Sequence, residues 1–494
     1  MGNDFSTAED IKAIAETRGL YASRYTMVLD VNQPGREHEK ILYNPLASSV
    51  HIVNSSVVSI LEAIQNQQGI GEVDHGLLQF FLDKGYVFPS KAEEEQKERL
   101  EYEKYRMRVQ EGAFQLILTT TLQCNLQCSY CYQDAAGMAR PGEIMTPEMF
   151  ENIDAFVDMY TKDRHEKRCY YLLYGGEPLL LGKRDREIVE RITQECRMFD
   201  IPLAAVTNGV NLYEYSDLFK GLKIGEFQIT VDGPPEIHNK RKKARDGKGS
   251  YERIMKGIER SIDYEFPINF KIVIDRENID YVPELAEIID RKGWLDLPED
   301  RFKIQLAENA ALNCPGGQAE GDNYMRPIEI LRDLLEKSKR HSAVKKMFRP
   351  FCMGIKVLYT AGMPPHPRFG ACSAGVLQLA FGSDGFVYPC MVYLGFPEHS
   401  IGTYYPEVAI NEKELQKYED LFSRNTQECE SCDLKYACGG RCVPSVETLN
   451  TAKCPDVKPE LAEKFTEWIT SDTIQQEIRN FRLLGKPLFI PNAK

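Results

Sequence analysis

Three cysteines stand close together, Cys124, Cys128 and Cys131 in the segment CNLQCSYC. They follow directly on the apolar stretch Phe114–Thr121, so we expect them on a loop that leaves a β-strand. Three thiolates in one loop form a soft metal site that lacks a fourth ligand. A structural zinc site is closed by four ligands, whereas a four-iron cluster held by three cysteines leaves one iron open for a substrate. The spacing therefore favours iron–sulfur chemistry over its alternatives, a zinc knuckle or buried thiols.

This run resembles the cluster motif of the radical S-adenosylmethionine (SAM) enzymes, including the aromatic Tyr130 just before the third cysteine. In that family the open iron chelates the amino and carboxylate groups of SAM. One electron from the cluster then splits the sulfonium to give a 5′-deoxyadenosyl radical. The resemblance implies that Cys124, Cys128 and Cys131 hold a [4Fe-4S] cluster and that Tyr130 belongs to the SAM site.

A second array of cysteines lies toward the C-terminal end of the chain, in the pattern C-x₁₂-G-x₄-C followed by C-x₂-C-x₅-C-x₃-C and a last cysteine. One tetrahedral metal cannot use all of these thiolates, so at least two centres are expected. The array resembles the SPASM extension, which carries two auxiliary iron–sulfur clusters in enzymes acting on peptides and proteins. The resemblance implies one cluster on Cys429, Cys432, Cys438 and Cys454, and another on Cys372, Cys390 and Cys442.

The second of these clusters is one ligand short in this motif. Cys352 or Cys314 could supply the fourth ligand, or the site could be open and receive a substrate thiolate. The alternative to both auxiliary clusters is a pair of structural zinc sites. With the first cluster, the resemblance implies three [4Fe-4S] clusters and SAM as cofactors.

A glycine-rich segment, Tyr174-Gly175-Gly176-Glu177-Pro178, follows the second predicted strand of the region after the cysteine run. Two glycines let the backbone approach a ligand closely, and the carboxylate can accept a hydrogen bond from an ammonium group. The segment looks like the GGEP motif of the radical SAM family, whose backbone and glutamate contact the SAM amino group.

Polar residues follow the next predicted strands: Thr207 and Asn208 the third, Asp232 the fourth and Asn278 the fifth. In parallel barrels reactive groups lie on loops at the strand C-termini. The family resemblance implies that these positions contact the ribose and carboxylate of SAM. The segment after Asp232 continues toward an H-N-x-R sequence, in which we expect His238 to be a hydrogen-bonded structural residue and not a general base.

The elements that must position these residues have an α/β pattern. Between 114 and 341, strand-like runs alternate with helical periods in about six units, which predicts a partial (β/α)6 TIM-like barrel. It resembles the radical SAM barrel. Residues 1–91 predict a winged-helix-like α+β module that resembles a precursor-recognition element, with a plain packing domain as the alternative. Expected boundaries are 92–113 for a linker helix, 342–371 for a bridging region, 372–460 for the SPASM domain and 461–494 for C-terminal helices.

Length and charge limit the classes of function. A chain of 494 residues fits about three domains. The net charge of −13 argues against general binding to nucleic acid or to anionic membranes. Because no apolar run approaches a bilayer-spanning length and no secretion signal is present, we expect a cytoplasmic protein, where clustered cysteines indicate metal chemistry.

Together these features predict a radical SAM/SPASM enzyme that abstracts hydrogen from a ribosomally made precursor peptide and installs a thioether or carbon–carbon cross-link. Its expected partners are the precursor with its leader segment and a flavodoxin- or ferredoxin-like electron donor. No residue is assigned as a catalytic acid or base.

Three alternatives stay open. One is oxidation of a protein Ser or Cys as in sulfatase maturation, although Met391 stands where that branch has a basic aspartate. The others are peptide epimerisation, for which Cys314 or Cys352 could return a hydrogen atom, and a non-enzymatic zinc-binding scaffold.

Overall fold

The computed structural model describes residues 20–31, 33–67, 75–135, 143–162, 168–309, 323–347, 366–370, 373–420, 429–439 and 466. Within these ranges, no helix combines the length and the apolar character needed to cross a bilayer. The C-terminal helices predicted after Cys454 lie outside the described residues, apart from Thr466.

The N-terminal part is a small α+β unit, as its pattern predicts. Strands β2, β3 and β4 form an antiparallel sheet, while β1 pairs with β5. Apolar residues of two helices, among them Val58, Leu61 and Phe81, pack with Leu42 to form a separate core. The elements are β1 Tyr21–Ala22, β2 Met27–Asp30, β3 Glu39–Asn44, β4 Ser49–Asn54, β5 Val87–Phe88 and the helices Ser55–Gln65 and His75–Asp83.

A charged helix, Lys91–Gln110, joins this unit to the rest of the chain. Its N-terminus is capped by the Ser90 side chain, which accepts from the Glu93 amide over 3.3 Å. Tyr102 and Tyr105 of this helix pack on Phe369, which also contacts Tyr436. The helix is therefore packed against the cysteine-rich part of the chain and is not only a linker.

Six parallel strands form the centre of the molecule and confirm the predicted partial barrel. Their order in the sheet is β13-β12-β10-β9-β8-β6, so consecutive β/α units lie side by side. Two short strands outside this sheet, β7 and β11, form an antiparallel pair. The bounds are β6 Phe114–Thr121, β7 Leu126–Cys128, β8 Cys169–Gly175, β9 Leu203–Thr207, β10 Ile224–Thr230, β11 Lys242–Ala244, β12 Ile268–Ile274 and β13 Phe302–Glu308.

Helices cover the outer face of the barrel with apolar stripes at helical spacing, for example Ile188 and Ile192, or Ile254 and Ile258. The predicted helix over 147–160 is two helices that meet at Asn152. The helices of this region are Tyr132–Ala135, Pro147–Glu151, Ile153–Tyr160, Lys183–Phe199, Leu212–Tyr215, Pro235–Arg241, Tyr251–Asp263, Val282–Arg291, Pro327–Ser338 and Ser342–Met347.

Four strands of the cysteine-rich region extend the barrel sheet, which the sequence pattern did not predict. β14 runs parallel to β6, with Leu379 opposite Leu116, and the next three strands add in antiparallel order. The bounds are β14 Gln378–Phe381, β15 Phe386–Tyr388, β16 Gly402–Thr403 and β17 Ala409–Ile410, followed by the helices Glu412–Asp420 and Lys435–Cys438.

The inner face of the barrel, its lumen, has two different halves. On β6, β8 and β9 the inward side chains Ile117, Leu172 and Ala204 are buried in an apolar cluster with Tyr388 and Tyr393. On the other three strands most inward side chains are polar, except Val273 and Ala307 near the strand ends, and of the polar ones all but Asn269 are only partly buried. We call this the polar half of the lumen, made of Glu226, Gln228 and Thr230 on β10, Asn269 and Lys271 on β12, and Lys303 and Gln305 on β13.

Candidate functional site

The cysteine run leaves the C-terminal end of β6, as predicted, and part of it forms a two-stranded ribbon. β7 and β11 pair there, with Cys128 opposite Lys242. The Cys131 amide donates to the Cys128 carbonyl over 3.2 Å, so the last two cysteines lie on one turn. All three thiols are partly exposed. Burial raises the pKa of the Cys124 thiol to about 12, and the charge of Glu177 adds to the rise.

The two glycines of the GGE segment lie against the backbone that precedes Cys124. A β-carbon on Gly176 would be 2.3 Å from the carbonyl oxygen of Gln123. On Gly175, whose φ is +142°, it would be 2.1 Å from the carbonyl oxygen of Thr121. The resemblance of this segment to the GGEP motif predicts that these glycines admit a ligand. In the structure they also allow a close approach of the cysteine loop itself.

Glu177 is fully buried, and its carboxylate collects three protein hydrogen bonds. Oε1 accepts from the Thr207 hydroxyl over 2.6 Å and from the Leu179 amide over 2.9 Å. Oε2 accepts from the Asn208 amide over 2.6 Å. Burial raises the pKa of Glu177, and these hydrogen bonds oppose the rise. The carboxylate therefore joins the ends of β8 and β9.

Asn208 connects the end of β9 to the cysteine run. Its Nδ2 donates to Oδ1 of Asn125 over 2.7 Å and lies 3.7 Å from the Sγ of Cys124. Its own Oδ1 accepts from the Val210 amide over 2.9 Å, which fixes the orientation of the side chain. The structure thus brings Thr207, Asn208, Glu177 and Cys124 together at one end of the barrel, as predicted.

Tyr130 and Asp232, predicted separately, contact each other. The Tyr130 hydroxyl donates to Oδ2 of Asp232, and Oδ1 of Asp232 accepts from the Val273 amide over 3.1 Å. Burial and the charge of Asp232 raise the pKa of Tyr130 well above its usual range. The predicted Asn278 is also here: its Nδ2 donates over 2.8 Å to the carbonyls of both Asp232 and Val273. Asn278 therefore ties β10 to β12.

His238 is a buried structural residue, in agreement with the sequence analysis. Its Nδ1 accepts from the Asp232 amide over 3.3 Å, and its Nε2 lies 3.1 Å from the Ser250 hydroxyl. Because that hydroxyl donates to the Lys242 carbonyl, we assign the ring proton to Nε2. Burial lowers the pKa of His238 to about 3, with Lys242 and Arg241 adding to the effect.

Sequence analysis missed the role of Arg241, a buried arginine beneath Tyr130. Its guanidinium binds both oxygens of Asp275 over 2.7 and 2.9 Å and lies 5.1 Å from the centre of the Tyr130 ring. Arg241 Nε lies 3.7 Å from Asp232 Oδ2. The H-N-x-R pattern contains this residue, but nothing in the sequence shows that Asp275, on another loop, is its partner.

Lys242 was also missed, because a lysine in a basic strip suggests a solvated surface. Its side chain is only 5 % exposed, and no hydrogen bond or ion pair joins it to another described residue. Burial lowers its pKa, but the charges of Cys128, Asp232, Cys124 and Glu177 outweigh that effect and raise it. Because its ammonium has no direct ion pair with a described residue, it is also suited to an anionic ligand.

The predicted auxiliary ligands are only partly covered by the structure. Cys390 packs in the apolar cluster of the lumen, whereas Cys432 packs against the main core and shares a turn with Cys429. Cys438 ends the helix Lys435–Cys438. The predicted ligands Cys372, Cys442 and Cys454, with the candidates Cys314 and Cys352, lie outside the described residues.

The donors at the end of the barrel fit a cluster with a bound amino acid. Among the described residues no three His, Cys, Asp or Glu side chains converge on a single ion position. A four-iron cluster does not need such convergence, since each cysteine binds a different iron. Three partly exposed cysteines, one of them on the ribbon opposite Lys242, which has no ion pair among the described residues, match the donor set for the cluster and for an anionic group of SAM.

Comparison with known proteins agrees with this geometry. The family model of the Radical SAM superfamily matches residues 118–289. The chain is 32% identical over 281 residues to a "Probable GTP 3',8-cyclase" of Methanocaldococcus jannaschii, covering 56% of this chain and 84% of the relative. It is 24% identical over 358 residues to a "Serine-type anaerobic sulfatase-maturating enzyme" of Bacteroides thetaiotaomicron, covering 65% and 80%.

A solved structure, "Native anSMEcpe with bound AdoMet and Kp18Cys peptide", has the same fold. Its TM-score is 0.55 at 18% identity, and the match covers 75% of this chain and 99% of that one. The barrel, the cysteine run at its C-terminal end and the family match lead to one conclusion. The chain is an enzyme of the radical SAM superfamily.

Proposed function

We propose that the protein is a peptide maturase that installs a cross-link, thioether or carbon–carbon, in a ribosomally made precursor. The observation that carries the proposal is the position of the cysteine run, which lies beside Asn208 and Lys242 at the mouth of a barrel whose lumen has a polar half. When bound, the cluster and SAM supply a 5′-deoxyadenosyl radical able to take a hydrogen atom from an unactivated carbon.

The residues around the run have distinct roles in this proposal. Cys124, Cys128 and Cys131 hold the cluster, and the Lys242 ammonium neutralises the SAM carboxylate. Glu177 and Asn208 hold the loops after β8 and β9 against the cysteine run, through the hydrogen bonds to Thr207 and Asn125. Asp232 and Tyr130 fix the opposite side. Such positioning is what a reaction with a short-lived reactive species requires.

The substrate class rests on the cysteine-rich extension and on the relatives. The sulfatase-maturating relative acts on a protein, going by its name. The solved structure of the same fold, anSMEcpe, holds a peptide, going by its name. We infer that auxiliary clusters on the two cysteine sets, Cys372, Cys390 and Cys442 in one and Cys429, Cys432, Cys438 and Cys454 in the other, exchange electrons with the substrate. A flavodoxin- or ferredoxin-like protein would reduce the first cluster.

Oxidation of a protein Ser or Cys is the second candidate, favoured by the sulfatase-maturating relatives. Met391, directly after Cys390, weighs against it. This residue begins a short 3₁₀ turn, Met391–Tyr393, packed in the lumen cluster. A thioether cannot take a proton at neutral pH, so the oxidation would need a base elsewhere.

Co-expression with short peptides encoded beside the gene would test the proposal, with the peptide products analysed by mass spectrometry. A cross-link removes two hydrogen atoms, leaves no aldehyde and joins two residues in the fragmentation spectrum. An aldehyde that reacts with a hydrazide would show serine or cysteine oxidation instead. Epimerisation would leave the peptide mass unchanged in ordinary water and would add one deuterium when the reaction is run in heavy water.

A further inference from the structure

The polar half of the lumen contains charges at two levels along the strands. At the lower level, Glu226 forms an ion pair with Lys303, and Asn269 donates to Glu226 over 3.1 Å and to Gln305 over 3.0 Å. These groups compensate one another. One acceptor remains, because Oδ1 of Asn269 is buried without a hydrogen-bond partner among the described residues.

At the upper level, nearer the cysteine run, Lys271 has no direct ion pair among the described residues. The register places Thr230 on one side of it and Gln305 on the other, so its direct neighbours on the sheet are neutral. No ion pair or hydrogen bond joins Lys271 to another described residue. Burial lowers its pKa and Lys242 lowers it further, against the charges of Asp232 and Glu308.

Lys271 and Lys242 are therefore two neighbouring cations that form no direct ion pair with any carboxylate of the described residues, in a protein whose net charge is −13. SAM carries only one carboxylate. Lys242 lies on the ribbon opposite Cys128, where the proposed function puts that carboxylate. Lys271 lies inside the barrel on β12, on the side where a substrate must enter to meet the SAM site. Lys271 is only partly buried, so its ammonium can pair with a second anion.

We propose that Lys271 is a specificity residue that binds the side-chain carboxylate of an Asp or Glu in the substrate peptide, close to the residue that is modified. This inference rests on the proposed function, and it adds a chemical requirement on the substrate. Gln305 and Thr230 flank the ammonium and supply further hydrogen-bonding groups for the bound carboxylate. Asn269 Oδ1 below them is an acceptor for a peptide N–H.

The probe is a pair of octapeptide pools whose termini are blocked so that they carry no charge. All positions are randomised except one central position. That position is Asp or Glu in the acid pool and Asn or Gln in the amide pool. The anaerobically reconstituted enzyme with SAM is immobilised, and retained peptides are counted by mass spectrometry. We expect the unmodified protein to retain about tenfold more of the acid pool than of the amide pool. A charge-assisted hydrogen bond between Lys271 and a carboxylate raises the affinity by about that factor.

Two substitutions at the same position give opposite predictions. Lys271→Gln should make retention of the two pools equal, and Lys271→Glu should favour a third pool with Lys or Arg at the fixed position. Lys223→Gln is the matched control, since Lys223 is exposed at the start of β10, where it pairs with Asp200. Thermal unfolding and iron content show whether each variant is folded and loaded.

Equal retention of acid and amide pools by the unmodified protein would overturn the inference, and so would an acid preference that survives in folded Lys271→Gln. Reductive formation of 5′-deoxyadenosine from SAM is measured in parallel without peptide. If that product forms while the acid preference is missing, the inference about Lys271 fails alone. If it does not form in the unmodified protein, the proposed function fails.

Discussion

Nδ2 of Asn208 lies 2.7 Å from Oδ1 of Asn125, so the loop after β9 is hydrogen-bonded to the cysteine run. The same amide is 3.7 Å from the Cys124 sulfur. A side chain in the third β/α unit thus helps to fix the first cysteine. The cysteine loop is held by the barrel around it as well as by its own sequence.

Removing the carboxylate of Glu177 should destabilise the fold. Glu177→Ala leaves the Thr207 hydroxyl and two amides without their acceptor in a fully buried place, and we expect a loss of about 2–4 kcal/mol in the free energy of unfolding. Urea denaturation measures it. Glu190→Ala, at an exposed helix position paired with Arg186, should change it by less than about 0.5 kcal/mol. Similar losses in both variants would contradict this account of Glu177.

Gly176→Ala should displace the cysteine loop, because the new methyl group would lie 2.3 and 2.5 Å from the carbonyl oxygens of Gln123 and Leu122. We expect a loss of about 1–3 kcal/mol in the free energy of unfolding, together with a loss of about four irons per chain after reconstitution. Gly225→Ala is the control, since its methyl group would meet nothing closer than 3.7 Å. Normal iron content in Gly176→Ala would show that the loop tolerates the displacement.

The stability of the protein should fall in mild acid partly because of His238. Its pKa is lowered to about 3 in the folded chain, whereas an unfolded histidine titrates near 6.5. As the pH falls below about 6.5 the unfolded state binds a proton that the folded state does not. Between pH 6.5 and 5 this difference costs about 2 kcal/mol.

Denaturation curves of the unmodified protein and His238→Asn at both pH values measure this effect. The asparagine keeps an acceptor for the Asp232 amide but does not titrate, so the variant should lose about 2 kcal/mol less than the unmodified protein over this range. Equal pH dependence in the unmodified protein and in His238→Asn would exclude His238 as the source.

Lys242→Met should weaken SAM binding without removing the cluster. Because the substitution removes the buried cation that faces the SAM carboxylate in our proposal, we expect the affinity of the protein for SAM to be about ten- to a hundredfold lower. Equilibrium dialysis of labelled SAM against the reconstituted protein measures it. Lys243→Met is the matched control, because that side chain is the exposed neighbour on the same short strand. If the two variants bind SAM equally well, Lys242 is not its counter-ion.

Much of the fold could be predicted from the sequence because the barrel is built from local repeats. Alternating strands and helices determine their own order, and the C-terminal ends of the strands collect the polar loops, so position together with the family resemblance placed Glu177, Asn208 and Asp232 at this end of the barrel. The extension of the sheet by β14 could not be predicted. Pairing with β6 depends on a free edge more than 250 residues earlier in the chain, since Leu116 and Leu379 are partners.

The lysines and Arg241 show a second limit. A strip of basic residues is expected on a surface, and sequence gives no sign that Lys242 is buried while Lys243 is exposed. Period-two alternation does apply to β12, where Asn269 and Lys271 face inward between apolar neighbours. That pattern could have placed Lys271 in the lumen. The partners of such residues come from other strands, so only the folded structure shows which charges lack compensation.

The central claim is that Cys124, Cys128 and Cys131 hold an iron–sulfur cluster that cleaves SAM. The most direct test is 5′-deoxyadenosine formation by the anaerobically reconstituted, dithionite-reduced protein and by its Cys124/Cys128/Cys131→Ala variant, with iron, sulfide and zinc content. We predict about twelve irons and product in the unmodified protein, and about four fewer irons and no product in the variant. Stoichiometric zinc without visible absorption, or equal product from both proteins, would contradict the claim.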